Sequence, residues 1–240
     1  MKKPKMILFD YGQTLINESY FDGVRGTAAV MEYAVKNKYK KTPEQIQSEA
    51  EFINREIGRF EPSKRHLFQI EIPFCQFEAY LYETNGIALS IPYSEAEHIF
   101  WDAAAPGTAT QGIEEFLDFL KKEGIRTGVI SNISYSQKTL AERINRILPD
   151  NQFEFIIASS EYVFRKPNQR IFRLALEMAE LKPEDAWYIG DSYECDIVGA
   201  GNAGLFPIWY GAEADCKQDV AAFKISSWEE LKVYLAQLPD

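Results

Sequence analysis

The amino-acid sequence predicts an α/β fold: a doubly wound, Rossmann-like parallel sheet with an α-helical module inserted after its first strand. Three observations predict it. Short apolar runs, MILF at 6–9, TGVIS at 127–131, FEFIIAS at 153–159, AWYIG at 186–190 and FPIWY at 206–210, are bounded by turn residues and are too short for helices. From about residue 107 these runs alternate with longer stretches of helical period, the rhythm of strand, helix, strand. Between about 17 and 100 no strand-like run appears, and helix-start signals recur instead.

Taken in order, MILF is the first strand, and it stops at Asp10. In the module that follows, Thr42-Pro43-Glu44-Gln45 combines an N-cap, a proline at the first helical position and a capping-box glutamine. Gly86 is placed to close one helix, and Ser94 with Glu97 reads as the capping box of the next. Phe52, Phe74, Phe77, Tyr80 and Tyr82 recur at helical spacing and are expected to pack inside the module. Beyond it, Ile113, Phe116, Leu117 and Leu120 share one helical face, and Gly124 stands where the chain must leave that helix for the next strand. Ile171, Leu174, Ala175 and Met178 repeat the pattern. The expected division is a core of residues 1–16 and 101–240 around an inserted helical domain of residues 17–100.

With 240 residues, 46% of them hydrophobic, the chain is long enough to bury a sizeable core. A net charge of −10 and a pI near 4.9 argue against nucleic acid or an anionic membrane as partner. Cys75, Cys195 and Cys216 are odd in number and lack metal-site spacing, as expected of reduced thiols in a cytoplasmic protein. The apolar run after MKKPK breaks at Asp10, short of a signal-peptide core or a membrane span. The expected partner is therefore a small molecule, bound by a monomer or a homodimer.

Ligands of a doubly wound sheet bind at the carboxyl ends of its strands, so the polar residues just after each apolar run are the ones to collect. They are Asp10, Ser131 with Asn132, Lys166 in FRKPN, and Asp191 with Asp196 in IGDSYECD. Each has a plainer reading. Asp10 is apt to cap a turn, Ser131 and Asn132 to cap the helix SYSQKTLAERINRIL, Lys166 to be a solvated loop lysine, and Asp191-Ser192 to cap the helix holding Ile197 and Val198.

The order carboxylate, hydroxyl, cation, paired carboxylates, each at its own strand end, resembles the haloacid dehalogenase superfamily of hydrolases over nearly the whole chain. The resemblance implies that Asp10 is a nucleophile carrying a transient aspartyl phosphate. It implies that Ser131, with the amides of Asn132 and Ile133, binds phosphate, and that Lys166 stabilises the transferring group. Asp10, Asp191, Asp196 and the carbonyl of Gly12 would hold Mg²⁺, and residues 17–100 would form the cap. These residue types suit the chemistry: a carboxylate and a phosphate ester repel, a hard divalent cation between them takes oxygen ligands, and fixed cations stabilise the loose transition state.

One position departs from the pattern. Phosphatases of the superfamily usually read D-x-D-G-T, where the second aspartate protonates the leaving oxygen and later deprotonates the attacking water. Here FDYGQTL puts Gly12 in its place and Gln13 after it, while Thr14 and Leu15 return to the pattern. If nothing replaces that acid, the loss is worth about 10² to 10⁴ in rate. Members that lack the acid suggest dehalogenase chemistry, which dispenses with the metal carboxylates retained here. They also suggest phosphonate cleavage with a cap lysine, for which Lys36, Lys38, Lys40, Lys41 and Lys64 are on offer, or phosphoryl transfer from a low-pKa leaving group, as in the P-type ATPases. The last reading is expected, with acyl and aryl phosphates hydrolysed better than sugar phosphates. Replacement acids are sought in His66 and His98, with His98 expected to pack or lie at the surface, and in Tyr11, a poor acid at neutral pH. A phosphate-binding protein without turnover is the competing class.

Overall fold

The structure, a computed structural model, describes residues 2–18, 20–59, 69–211 and 222–239. Its centre is a six-stranded, all-parallel sheet. The strands are β1 (Met6–Phe9), β6 (Arg126–Ser131), β7 (Phe153–Ala158), β8 (Ala186–Gly190), β9 (Phe206–Tyr210) and β10 (Phe223–Ile225), in the order β10-β9-β8-β1-β6-β7. β1 pairs with β6 on one side and β8 on the other, so the direction of winding reverses beside it and a crevice opens past its carboxyl end.

All four residues of β1 are fully buried, because both faces of a parallel sheet are covered and such strands need no alternation. Ile7 and Phe9 pack with Val129, Ile189 and Ile208 beneath α5 (Ile113–Lys122), α6 (Gln137–Ile147) and α10 (Trp228–Ala236). Met6 and Leu8 pack with Ile130, Ile157 and Tyr188 on the opposite face, beneath α8 (Gln169–Ala179), while α7 (Ser159–Tyr162) and α9 (Gly199–Asn202) are single turns. Every apolar run read as a strand is one. β10 was not foreseen, since three residues are too few to show a period.

The helix ends largely follow the sequence. Gly124, at φ 69°, turns the chain out of α5 as expected. α8 is rotated from its expected face. Ile171, Phe172, Ala175, Leu176 and Ala179 are its buried residues, whereas Met178 is 43% exposed. Phe172 meets the Tyr188 ring edge-on at 5.1 Å, and the small Ala175 and Ala179 let the helix lie close to the sheet.

Between β1 and α5 the chain forms α1 (Gly23–Met31), α2 (Pro43–Glu56), α3 (Phe74–Thr84) and α4 (Tyr93–Ala104). The Thr42–Gln45 capping box of α2 forms in both directions, and Gly86, at φ 66°, follows α3. Two expectations fail here. Residues 17–100 are not free of strands: β2 (Ile16–Glu18) pairs antiparallel with β5 (Gly107–Ala109), and β3 (Ala34–Asn37) with β4 (Ile87–Leu89). These two-stranded ribbons lie at the surface and need no apolar run, so hydrophobic periodicity does not reveal them. The Ser94–Glu97 box does not form either, because α4 starts after Pro92 without a side-chain cap and Glu97 is buried against another helix. Of the aromatics, Phe74 and Tyr82 are buried, while Phe52 and Tyr80 are exposed. Among the described residues no helix is long and apolar enough to cross a membrane.

Candidate active site

β1, β6 and β8 end side by side, and the segments that leave them, together with the one between β7 and α8, carry the polar residues singled out in the sequence. Asp10, Gly12, Ser131, Asn132, Lys166, Asp191 and Asp196 all line one cleft of about 300 Å³. Asp10 continues the sheet by donating its backbone N–H to Ile189 at 2.8 Å, which fixes its side chain at the winding reversal. Lys166 lies in the loop before α8, where Asn132 grips it twice: the Asn132 amide donates to the Lys166 carbonyl at 2.8 Å, and Asn132 Oδ1 accepts the Lys166 N–H at 2.7 Å. The 166–167 peptide bond, before Pro167, is cis.

Lys166 Nζ then donates to Asp10 Oδ1 at 2.7 Å, to Asp196 Oδ1 at 2.6 Å and to the Tyr188 hydroxyl at 2.7 Å, and its side chain is 2% exposed. All three of its protons are thus satisfied by oxygen, the condition for a tolerable buried ammonium. Asp196 is fully buried on a π-helical turn, Tyr193–Val198, and its Oδ2 accepts the Ser192 N–H at 2.9 Å. Gly190 makes room for it, since a Cβ there would overlap the Asp196 carboxylate.

The three carboxylates of Asp10, Asp191 and Asp196 offer oxygens within 4.8 Å of one another. Burial raises the Asp10 carboxyl to about 7 against the pull of Lys166, with Asp196 and Asp191 adding to the rise. Burial and then Asp196 raise Asp191 as well. Burial alone would lower Lys166, but Asp10 and Asp196 carry it above its ordinary value, so it stays charged. This cluster holds more negative charge than a single lysine balances. Hard oxygen donors in that arrangement fit Mg²⁺.

The plainer readings of these residues hold only in part. Ser136, not Ser131 or Asn132, caps α6, accepting the Thr139 N–H at 3.2 Å, whereas the Asp191-Ser192 pair does cap the turn holding Ile197 and Val198, through Ser192. Ser131 is 3% exposed at the end of β6. The Ile133 amide, expected to face phosphate, instead donates to Ser159 Oγ at 2.9 Å. His98 hydrogen-bonds Thr139 at 2.9 Å and reaches Glu142 at 3.1 Å, in the packing role expected for it and outside the cleft lining. Lys36, Lys38 and Lys40 are exposed and none of Lys36, Lys38, Lys40 and Lys41 lines the cleft, while Lys64, His66 and Cys216 lie outside the described residues.

At Gly12 an added Cβ would meet nothing within 4 Å, so the place of the usual second acid is open space. Nothing in the sequence hints at what stands across the cleft. Glu18, at the end of β2, lines it together with Trp101 and Tyr135. Glu18 Oε1 accepts from the Tyr11 hydroxyl at 3.0 Å, from Trp101 Nε1 at 2.9 Å and from Arg143 at 3.3 Å. Arg143, 3% exposed, lies over the Trp101 ring at 4.4 Å and also holds Asp102 at 2.6 Å. No sequence spacing joins residues 11, 18, 101 and 143. Tyr188 was missed for another reason: its hydroxyl is hidden in a run, AWYIG, that reads as pure strand.

Comparison with known proteins agrees with this arrangement. A family described as haloacid dehalogenase-like hydrolase matches residues 4–204. A glyceraldehyde 3-phosphate phosphatase of Pyrococcus furiosus is 36% identical over 99 residues, which are 41% of this chain and 40% of that protein. This chain thus spans about two-fifths of the length of that relative. A 2-haloacid dehalogenase from Pseudomonas syringae superposes with a TM-score of 0.68 at 20% identity, covering 99% of both chains. A phosphatase of the same superfamily from Thermococcus onnurineus superposes with a TM-score of 0.66 at 19% identity, covering 100% of this chain and 99% of the other. Those two likenesses concern the fold. With the family match extending over most of its length, this chain belongs to the haloacid dehalogenase-like hydrolases.

Proposed function

We propose that the protein is a Mg²⁺-dependent phosphatase of small phosphorylated molecules that works through an aspartyl phosphate on Asp10. The observation that carries this reading is the contact of Lys166 with both Asp10 and Asp196, with Asp191 beside them. A protein that only bound an anion would gain nothing from three carboxylates in the same cleft. The 36% identity to a glyceraldehyde 3-phosphate phosphatase supports the same reaction class.

In this reading Asp10 and Asp191, with Asp196 and the Gly12 carbonyl, would hold Mg²⁺, which would relieve the repulsion between carboxylate and phosphate. Asp10 Oδ attacks phosphorus in line with the leaving oxygen. Lys166 keeps Asp10 oriented and, with the Ser131 hydroxyl and the Asn132 backbone N–H, meets charge that spreads over the non-bridging oxygens. Asn132 acts a second time by fixing the Lys166 backbone. Tyr188 helps hold the ammonium in place without taking part in proton transfer, because burial, with Asp196 and Asp10 nearby, raises its hydroxyl well above its ordinary value. Residues 17–100 serve as the cap, and residues 1–16 and 101–240 form the catalytic core.

The test is phosphate release from acetyl phosphate and p-nitrophenyl phosphate with Mg²⁺, comparing the wild type with Asp10→Asn. Turnover by the wild type and its loss in Asp10→Asn is the expected result. A wild type that binds inorganic phosphate in the presence of Mg²⁺ but never turns over would instead make the protein a phosphate-binding member of the family, the competing class that the missing acid at position 12 raises.

A further inference from the structure

Gly12 leaves open space beside Asp10, yet one carboxyl reaches the same cleft from a different element. Glu18 lines the cleft with Asp10 and Gly12, and its side chain is 23% exposed. Only one of its oxygens is anchored. Oε1 takes the hydrogen bonds from Tyr11, Trp101 and Arg143, and Oε2 has no hydrogen-bond partner among the described residues. A carboxylate whose purpose was to neutralise Arg143 would present both oxygens to the guanidinium fork. Here Asp102 does the neutralising at 2.6 Å, the Ala105 carbonyl and the Tyr11 hydroxyl accept further Arg143 protons, and the Glu18 contact, at 3.3 Å, is the longest of the set.

The geometry points to Glu18 as the acid and base of the reaction, doing from β2 what an aspartate at position 12 would do. The assignment rests on the phosphatase reading above. In the first step the Asp10 oxygen–phosphorus bond forms, the phosphorus–leaving-oxygen bond breaks, and the Glu18 proton moves to the leaving oxygen to give a neutral alcohol. In the second step water gives a proton back to Glu18 as its oxygen attacks phosphorus, the Asp10 oxygen–phosphorus bond breaks, and inorganic phosphate departs. The three donors on Oε1 fix the direction in which Oε2 presents its proton. Burial, outweighing Arg143 and the hydrogen bonds, raises this carboxyl above its usual range, which favours the protonated form needed at the start. Leaving groups of high pKa then come within reach despite Gly12.

Glu18→Gln preserves the size of the side chain and an acceptor for Tyr11, Trp101 and Arg143 but has no proton to transfer. It would be compared with the wild type, and with Glu18→Gln carrying Gly12→Asp, in pre-steady-state assays with Mg²⁺ on p-nitrophenyl phosphate and on glycerol 3-phosphate. The expected result is that Glu18→Gln keeps a stoichiometric burst of nitrophenolate, since that leaving group needs no proton, and then turns over about 10² to 10⁴ times more slowly because water is no longer deprotonated. With glycerol 3-phosphate it shows no burst, and adding Gly12→Asp restores both burst and turnover. Wild-type turnover of glycerol 3-phosphate by Glu18→Gln overturns the assignment. So does loss of the nitrophenolate burst, which marks a structural role, and so does failure of Gly12→Asp to rescue. In each of these cases the wild type still turns over p-nitrophenyl phosphate and Asp10→Asn still does not. If the wild type turns over neither substrate, the phosphatase reading falls and this assignment with it.

Discussion

Two buried ionisable groups show how differently single residues are treated in this fold. Lys166 is almost fully buried, at 2% exposed, yet each of its protons meets an oxygen, and the neighbouring carboxylates keep it charged. Glu78 on α3 is 2% exposed, its Oε2 has no partner among the described residues, and burial pushes its carboxyl up to about 8 from a usual value of 4.5. The unfolded chain gives up this proton near 4.5 and the folded chain near 8, so between those values the folded state holds the extra proton. Its stabilising contribution is complete below the lower value and is lost as pH rises through the window, at a slope of at most about 1.4 kcal/mol per pH unit. Urea denaturation at pH 5 and pH 8 checks this: Glu78→Gln is expected to lose much less stability than the wild type between the two. Equal losses would show that Glu78 ionises without cost.

Among the elements, α6 deserves notice because its start follows the loop that carries Ser131 and Asn132. Ser136 caps it from within, and Glu97 of α4 caps it from outside, accepting the Ser136 N–H at 3.1 Å and the Thr139 hydroxyl at 2.5 Å. A carboxylate at a helix N-terminus meets unpaired amides and the positive end of the helix dipole, and here it also ties the inserted helices to the core. Glu97→Ala would strand those buried donors, and a loss of about 2–3 kcal/mol is expected by chemical denaturation. Glu97→Gln, which keeps an acceptor, is expected to lose less. The sequence placed Ser94 and Glu97 in a local capping box because their spacing is right for one. Local spacing reports only neighbours along the chain, and Glu97 found a partner 39 residues away.

For the molecule as a whole, the carboxylate cluster concentrates unfavourable charge that a dication would relieve, so Mg²⁺ should stabilise the folded state. A ligand that binds only the folded chain adds about 2.7 kcal/mol at roughly 100 times its Kd. Thermal melts with and without Mg²⁺ are expected to show a rise in Tm for the wild type, and Asp191→Asn is expected to lose most of it. An equal rise in both would place the ion elsewhere.

By itself the sequence determined the sheet and the order of its chemistry. Strands buried on both faces must be continuous apolar runs, and a polar residue that ends such a run must emerge at the strand's carboxyl end, so Asp10, Ser131, Lys166, Asp191 and Asp196 could be read off in line. Only the tertiary structure decided what lies between those strand ends. Glu18, Trp101 and Arg143 come from three elements of no common period, the buried face of α8 was set by the sheet it lies on, and the Tyr188 hydroxyl found its use only when Lys166 arrived beside it. Hydrophobic periodicity records which way a residue faces within its own element. Which side chains share a cleft depends on how the elements pack, and that packing is what brings Gly12 and Glu18 into one cleft.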